Sequence, residues 1–124
     1  MRIKNINWMN KEAKEAIVNV CVRDKEIMCF SCPCNYNIGD KILLNLECLN
    51  INNIFLSEED KYGIYKLDNY FKYRLCGRIM DKKEGIIEVY NFKLHIEQEL
   101  IPGDIDNDMF IEFEVARIDI WQKE

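Results

Sequence analysis

Phe110-Ile111-Glu112-Phe113-Glu114-Val115-Ala116-Arg117-Ile118-Asp119-Ile120-Trp121 carries the clearest strand signal in the chain. Apolar and charged residues alternate with period two, which sends one set to each face of a pleated sheet. The alternation changes phase on the way. Ile111, Phe113 and Val115 share one face, while Ile118 and Ile120 share the other, so the slip falls at Ala116-Arg117. A strand that changes its buried face carries a bulge or passes between sheet layers. The expectation is a bulge or sharp bend there, with all five apolar side chains buried.

Working outward, short strand patterns fill most of the remaining chain. Val18, Val20 and Val22 alternate on one stretch; Met28, Phe30 and Cys32 do so on the next, which Pro33 ends. Gly39 marks a turn before residues 41–49, where Ile42, Leu44, Leu46 and Cys48 alternate. Residues 51–56 read as a short strand. Ser57 followed by Glu58, Glu59 and Asp60 has the form of a helix start, which Gly63 interrupts. Residues 70–80 read as a long strand, and 81–85 as a hairpin loop with terminal Gly85. Residues 86–96 return antiparallel, and Pro102-Gly103 opens a last turn. Residues 1–15 read as an N-terminal arm anchored by Ile3, Ile6 and Trp8.

These patterns predict one all-β domain over residues 1–124: a small antiparallel OB-like barrel of five to six strands with a short helical or loop insertion near 57–67. A β-sandwich is the alternative. Cys29-Phe30-x-x-Pro33, Ile38-Gly39-Asp40, Gly77-Arg78-Ile79-x-Asp81 and Phe113-x-Val115-x-Arg117-x-Asp119 resemble a group of small uncharacterised bacterial proteins with an OB-like barrel. That resemblance covers most of 12–121; it implies a fold and carries no site or activity.

The 124 residues hold 17 Lys and Arg against 22 Asp and Glu, a net charge of -5. An acidic whole disfavours nucleic acid as a partner, although a local basic face could still serve. No apolar run is long enough to span a bilayer, and no apolar segment follows the basic Met1–Asn5 start, so neither a membrane anchor nor a signal peptide is expected. The six cysteines are expected to be reduced in the cytoplasm.

Two constellations could carry chemistry. Cys29-x-x-Cys32-x-Cys34 could supply soft ligands to a structural zinc ion. The strand reading, however, puts Cys29 and Cys32 on opposite faces, and no second Cys-x-x-Cys follows. Tyr70, Lys72, Arg74 and Arg78 alternate on the fourth long strand opposite Phe71, Tyr73 and Leu75. Rings and cations on one barrel face suit single-stranded nucleic acid, the rings stacking on bases and the charges tracking phosphates. Asp104, Asp106 and Asp108 have calcium-loop spacing, but Met109 and Val115 stand where the loop needs Gly and Glu. His95, the one histidine, lies with Lys93 on a polar strand face. Glu112 and Glu114 lie together on a face read as solvated, and no nucleophile elbow or phosphate-cradling glycine loop occurs. The expected protein is therefore a non-enzymatic, cofactor-free module that binds a protein partner.

Overall fold

The computed structural model describes residues 1–121. Strands dominate: β1 (Arg2–Asn10), β2 (Glu15–Val22), β3 (Lys25–Ser31), β4 (Leu46–Leu49), β5 (Asn52–Leu56), β6 (Gly63–Lys66), β7 (Tyr73–Asp81), β8 (Ile86–Val89), β9 (Phe92–His95), β10 (Phe110–Val115) and β11 (Arg117–Asp119). A single 3-10 turn at Gln98–Leu100 is the one helical element among the described residues. No helix there is long and apolar enough to cross a membrane.

The strands form one mixed sheet, ordered β1-β2-β3-β11-β4-β9-β8-β7-β10-β5, with β6 attached to β7. Most pairs are antiparallel; β3 with β11 and β4 with β9 are parallel. β6 and β8 share one edge of β7 in succession, β6 along Tyr73–Cys76 and β8 along Arg78–Asp81. Gly77 lies at the handover, where a Cβ would stand 2.6 Å from the Glu88 carbonyl oxygen and 2.5 Å from Val89 Cγ2. The close passage of β8 therefore depends on the missing side chain.

The long C-terminal strand bends at Ala116, where residue pairing moves from one set of neighbours to another. β10 lies between β7 and β5, and β11 between β3 and β4. Ile111, Phe113, Val115, Ile118 and Ile120 are all buried. Full burial of each such side chain stabilises the fold by about 1.5–3 kcal/mol.

The expected OB-like barrel is not what forms. The sheet is open, with β1 and β5 as its two ends, and it does not separate into the facing sheets of a sandwich. One physical reason is visible at β3. It meets β11 at a single bridge, Asp119 with Phe30, and among the described residues no strand takes up its remaining edge. The Tyr73 hydroxyl instead accepts the Met28 N–H at 3.0 Å, so a side chain caps the position a neighbouring strand would fill.

Other elements differ locally. Residues 2–10 of the N-terminal arm form β1, whose register slips near Lys4 and Met9 break simple alternation. The expected strand 41–49 is regular only at 46–49. No helix follows Ser57; its Oγ donates to the Glu59 carbonyl at 2.7 Å, closing a local turn before β6. Residues 86–96 are two strands separated by a turn at Tyr90 and Asn91, both with positive φ (48° and 71°).

Candidate functional site

Strand register assembles the site. Opposed residues on paired strands share a face, so Phe55, Glu112, Cys76 and Gly63 form one row across β5, β10, β7 and β6. Glu114, Arg74 and Tyr65 form the next row on that face. Cys76 and Gly63 are small, so the middle of the first row is low. The Tyr65 ring folds over Gly63 so closely that a Cβ there would stand 2.5 Å from ring carbon Cε2.

The result is a groove of about 440 Å³, walled by Phe55, Tyr62 and Tyr65 and floored by Cys76, with Leu56 at its β5 rim and Glu58, Glu59 and Glu112 around it. Phe55, Leu56 and Tyr65 remain 50%, 52% and 48% exposed. Lys61 is the groove's one cationic lining residue, and it pairs with Glu59 at 3.0 Å.

β5 also leaves backbone groups free. Ser57 N–H donates to the Phe110 carbonyl, and Phe55 faces Glu112 across the ladder. Because bonded positions alternate in an antiparallel pair, the intervening Leu56 directs its N–H and C=O away from β10, along the open edge.

Tyr62 also lines a second depression, of about 390 Å³, beside the β2–β3 turn; a third, of about 350 Å³, shares Asp24, Lys25 and Tyr90 with the second and is bordered by Tyr65. The Tyr62 hydroxyl donates to Glu88 Oε1 at 2.6 Å. The other Glu88 oxygen accepts the Asn91 N–H at 3.0 Å, and Arg78 approaches Oε1 at 3.4 Å. Burial pushes the Glu88 carboxyl up, but these donors together outweigh it and hold the group below the ordinary carboxylate range. Burial, then the hydrogen bond to Glu88, raises the Tyr62 hydroxyl. The Tyr90 hydroxyl donates to the Tyr62 carbonyl at 3.1 Å, the two rings lie 5.3 Å apart, and Lys25 Nζ sits 4.6 Å from the Tyr90 ring centroid. These contacts hold Tyr90 at a backbone angle that bulky residues rarely adopt.

The groove's thiol does not carry the shift that activates a nucleophile. Cys76 is only 8% exposed, and burial, followed by the neighbouring Glu112 charge, pushes its thiol up to about 11. A nucleophilic cysteine needs the opposite shift. The Glu88 carboxylate is already engaged by three donors.

The nucleic-acid candidates separate. Tyr70 is 73% exposed in the loop before β7, where its N–H and that of Lys72 are held by Asp68 Oδ1. Arg74 and Arg78 do share the outer face of β7. Arg74 approaches Glu112 at 3.8 Å and lies 4.8 Å from the Tyr65 ring centroid. Arg78 pairs with Glu88 and, at 3.1 Å, with Asp108. Carboxylates from neighbouring strands and turns thus meet both cations.

The cysteines also separate. Cys29 faces the core, where burial drives its thiol up; Cys34 is buried and Cys32 exposed. Among the described residues, no group of three or more His, Cys, Asp or Glu side chains could hold a metal ion. Asp106 and Asp108 of the acidic turn pair with Lys82 and Arg78. His95 Nδ1 meets Glu47 at 2.7 Å on the outer face.

The family model described as Uncharacterised conserved protein UCP019853 matches residues 2–121. The chain belongs to that family. No curated protein and no solved structure matches it. The resemblance to OB-like barrel proteins is corrected accordingly: membership is in UCP019853, and this member has an open mixed sheet.

Proposed function

We propose that this protein is a non-catalytic interaction module that binds an extended segment of a partner protein at the groove beside β5. The observation that carries the reading is the coincidence of an unpaired sheet edge at Leu56 with a groove whose apolar walls stay half exposed. Strand addition to such an edge provides main-chain hydrogen bonds, while the adjacent groove selects side chains. The six free cysteines are consistent with a cytoplasmic setting for this role.

The test is photo-cross-linking in the source cells, with p-benzoylphenylalanine placed at position 56, at 65, or at 7 on β1 at the other end of the sheet. A discrete protein adduct at 56 and 65 but not at 7 is expected. Adducts of equal yield at all positions, nuclease-sensitive adducts, or none would refute the reading. A labelled single-stranded oligonucleotide titrated at low salt is expected to show no binding.

A further inference from the structure

We infer that the partner segment presents an arginine, whose guanidinium enters the groove between Glu112 and the aromatic walls; this rests on the interaction reading above. Three features point to that occupant: reach, charge and an arrangement already present in the chain.

Reach comes first. A strand added beside β5 would lie about 4.8 Å from it and about twice that from β10. A residue opposite Leu56 would point to the Leu56 face. Its neighbours along the added strand would point to the Phe55 face, where the groove lies. A side chain from there must pass over Phe55 to meet Glu112, a span suited to arginine or lysine and not to short side chains.

Charge favours a cation. Glu58, Glu59 and Glu112 surround the groove; Lys61 meets Glu59 at 3.0 Å and Arg74 approaches Glu112 from the neighbouring row, so the carboxylates outnumber the cations. Glu112 is engaged by the neutral Cys76 thiol and, at the long distance of 3.8 Å, by Arg74, so its charge is only weakly met.

The chain already shows the recognition chemistry. Arg74 lies 4.8 Å from the Tyr65 ring centroid and beside the Glu112 carboxylate. An incoming guanidinium would use the same two groups from the groove side, together with Tyr62 and Phe55. A planar guanidinium can stack on rings and present a fork to a carboxylate, which an ammonium cannot do.

The test uses the full chain, isotopically labelled and observed by amide NMR. The probes are acetyl-Thr-Val-Arg-Val-Thr-amide and its counterparts with lysine or neutral citrulline in place of arginine. The arginine peptide should shift the Leu56, Ser57 and Glu112 amides and bind about tenfold more tightly than the citrulline peptide, with lysine between them. Glu112→Gln should remove most of that difference. Leu56→Pro, which deletes an outward-pointing N–H, should weaken all three peptides while leaving the melting curve close to wild type. Equal affinity for arginine and citrulline peptides would overturn the arginine inference. So would arginine binding that survives Leu56→Pro, or no binding at all. In each case cross-linking at positions 56 and 65 decides separately whether the groove is an interface.

Discussion

Tyr62→Phe isolates the polar contact between the groove and the depression beside the β2–β3 turn. It removes one hydroxyl and keeps the ring contacts with Tyr90 and Phe110, whose centroids lie 5.3 and 5.1 Å away. The lost bond is the 2.6 Å donation to Glu88, whose side chain is only 7% exposed. A hydrogen bond to a charged group contributes about 1.5–3 kcal/mol, and the half-buried position of Tyr62 argues for the lower end, about 1.5 kcal/mol. At about 2.1 cal/mol/K per residue over 124 residues, that is a fall in Tm of about 6 °C. The loss should also depend on pH. The Glu88 carboxyl is lowered from 4.5 in the folded protein, so its ionised form stabilises the fold above that value. That contribution disappears as pH falls through the folded pKa. Tyr62→Phe removes one of the donors that lower it, so the gap between variant and wild type should be full at pH 7 and narrow below about pH 4.5. Urea denaturation at pH 7, 5, 4 and 3 measures this. Adding Glu88→Gln should give an interaction energy of about 1 kcal/mol in the double-mutant cycle. A gap unchanged from pH 7 to pH 3, or two changes that simply add, would mean the hydroxyl acts through packing and not through Glu88.

Three further outcomes follow from backbone geometry and burial. Gly85 has φ +70°, and a Cβ there would stand 2.1 Å from the Ile96 carbonyl oxygen; Gly103 has nothing within 4 Å. In urea denaturation, Gly85→Ala should cost more than about 2 kcal/mol and Gly103→Ala less than about 0.5 kcal/mol. In native protein at pH 8, a thiol reagent with mass-spectrometric mapping should modify exposed Cys32 well before Cys76, whose thiol lies at about 11. Cys29, Cys48 and Cys76 are raised above 9.0 by burial, so they stabilise the fold fully below that value. Circular dichroism should show stability falling as pH rises above 9.

The sequence reveals which face of a strand is buried more readily than which strand lies beside it. The phase change at Ala116 was legible because Val115 and Ile118 must both reach apolar surroundings. The neighbours on either side of that change were not, since β3, β4, β5 and β7 join the strand from distant parts of the chain. β1 escaped detection because register slips near Lys4 and Met9 disturb the alternation of Ile3, Ile6 and Trp8. The β8–β9 turn was missed because Tyr90-Asn91 lacks the glycine that commonly marks such turns. Arg74 and Arg78 share one face of β7, as period two requires, but their acidic partners come from β10, β8 and the turn before β10. The groove was hidden for the same reason. Phe55, Cys76 and Glu112 become neighbours only through long-range register, while Tyr62 and Tyr65 lie in a segment expected to be a helix or loop.

The absence of barrel closure and the candidate interface have one structural origin. A strand hydrogen-bonded to the outer side of β5 would occupy the edge to which Leu56 presents its backbone groups, and its side chains would cover Phe55. Because β5 instead ends the sheet, both stay accessible beside a groove that the small residues Cys76 and Gly63 keep low. Edge strands in soluble proteins are commonly blunted by charge, shortness or a bulge. β5 has only five residues, and the pairing irregularity between Glu112 and Glu114, with Asn53 at φ 56°, breaks its regular register. Those features shorten the usable edge to the Phe55–Ser57 end. That end lies beside the aromatic groove, so they would oppose indiscriminate sheet extension while leaving room for a short, side-chain-selected segment.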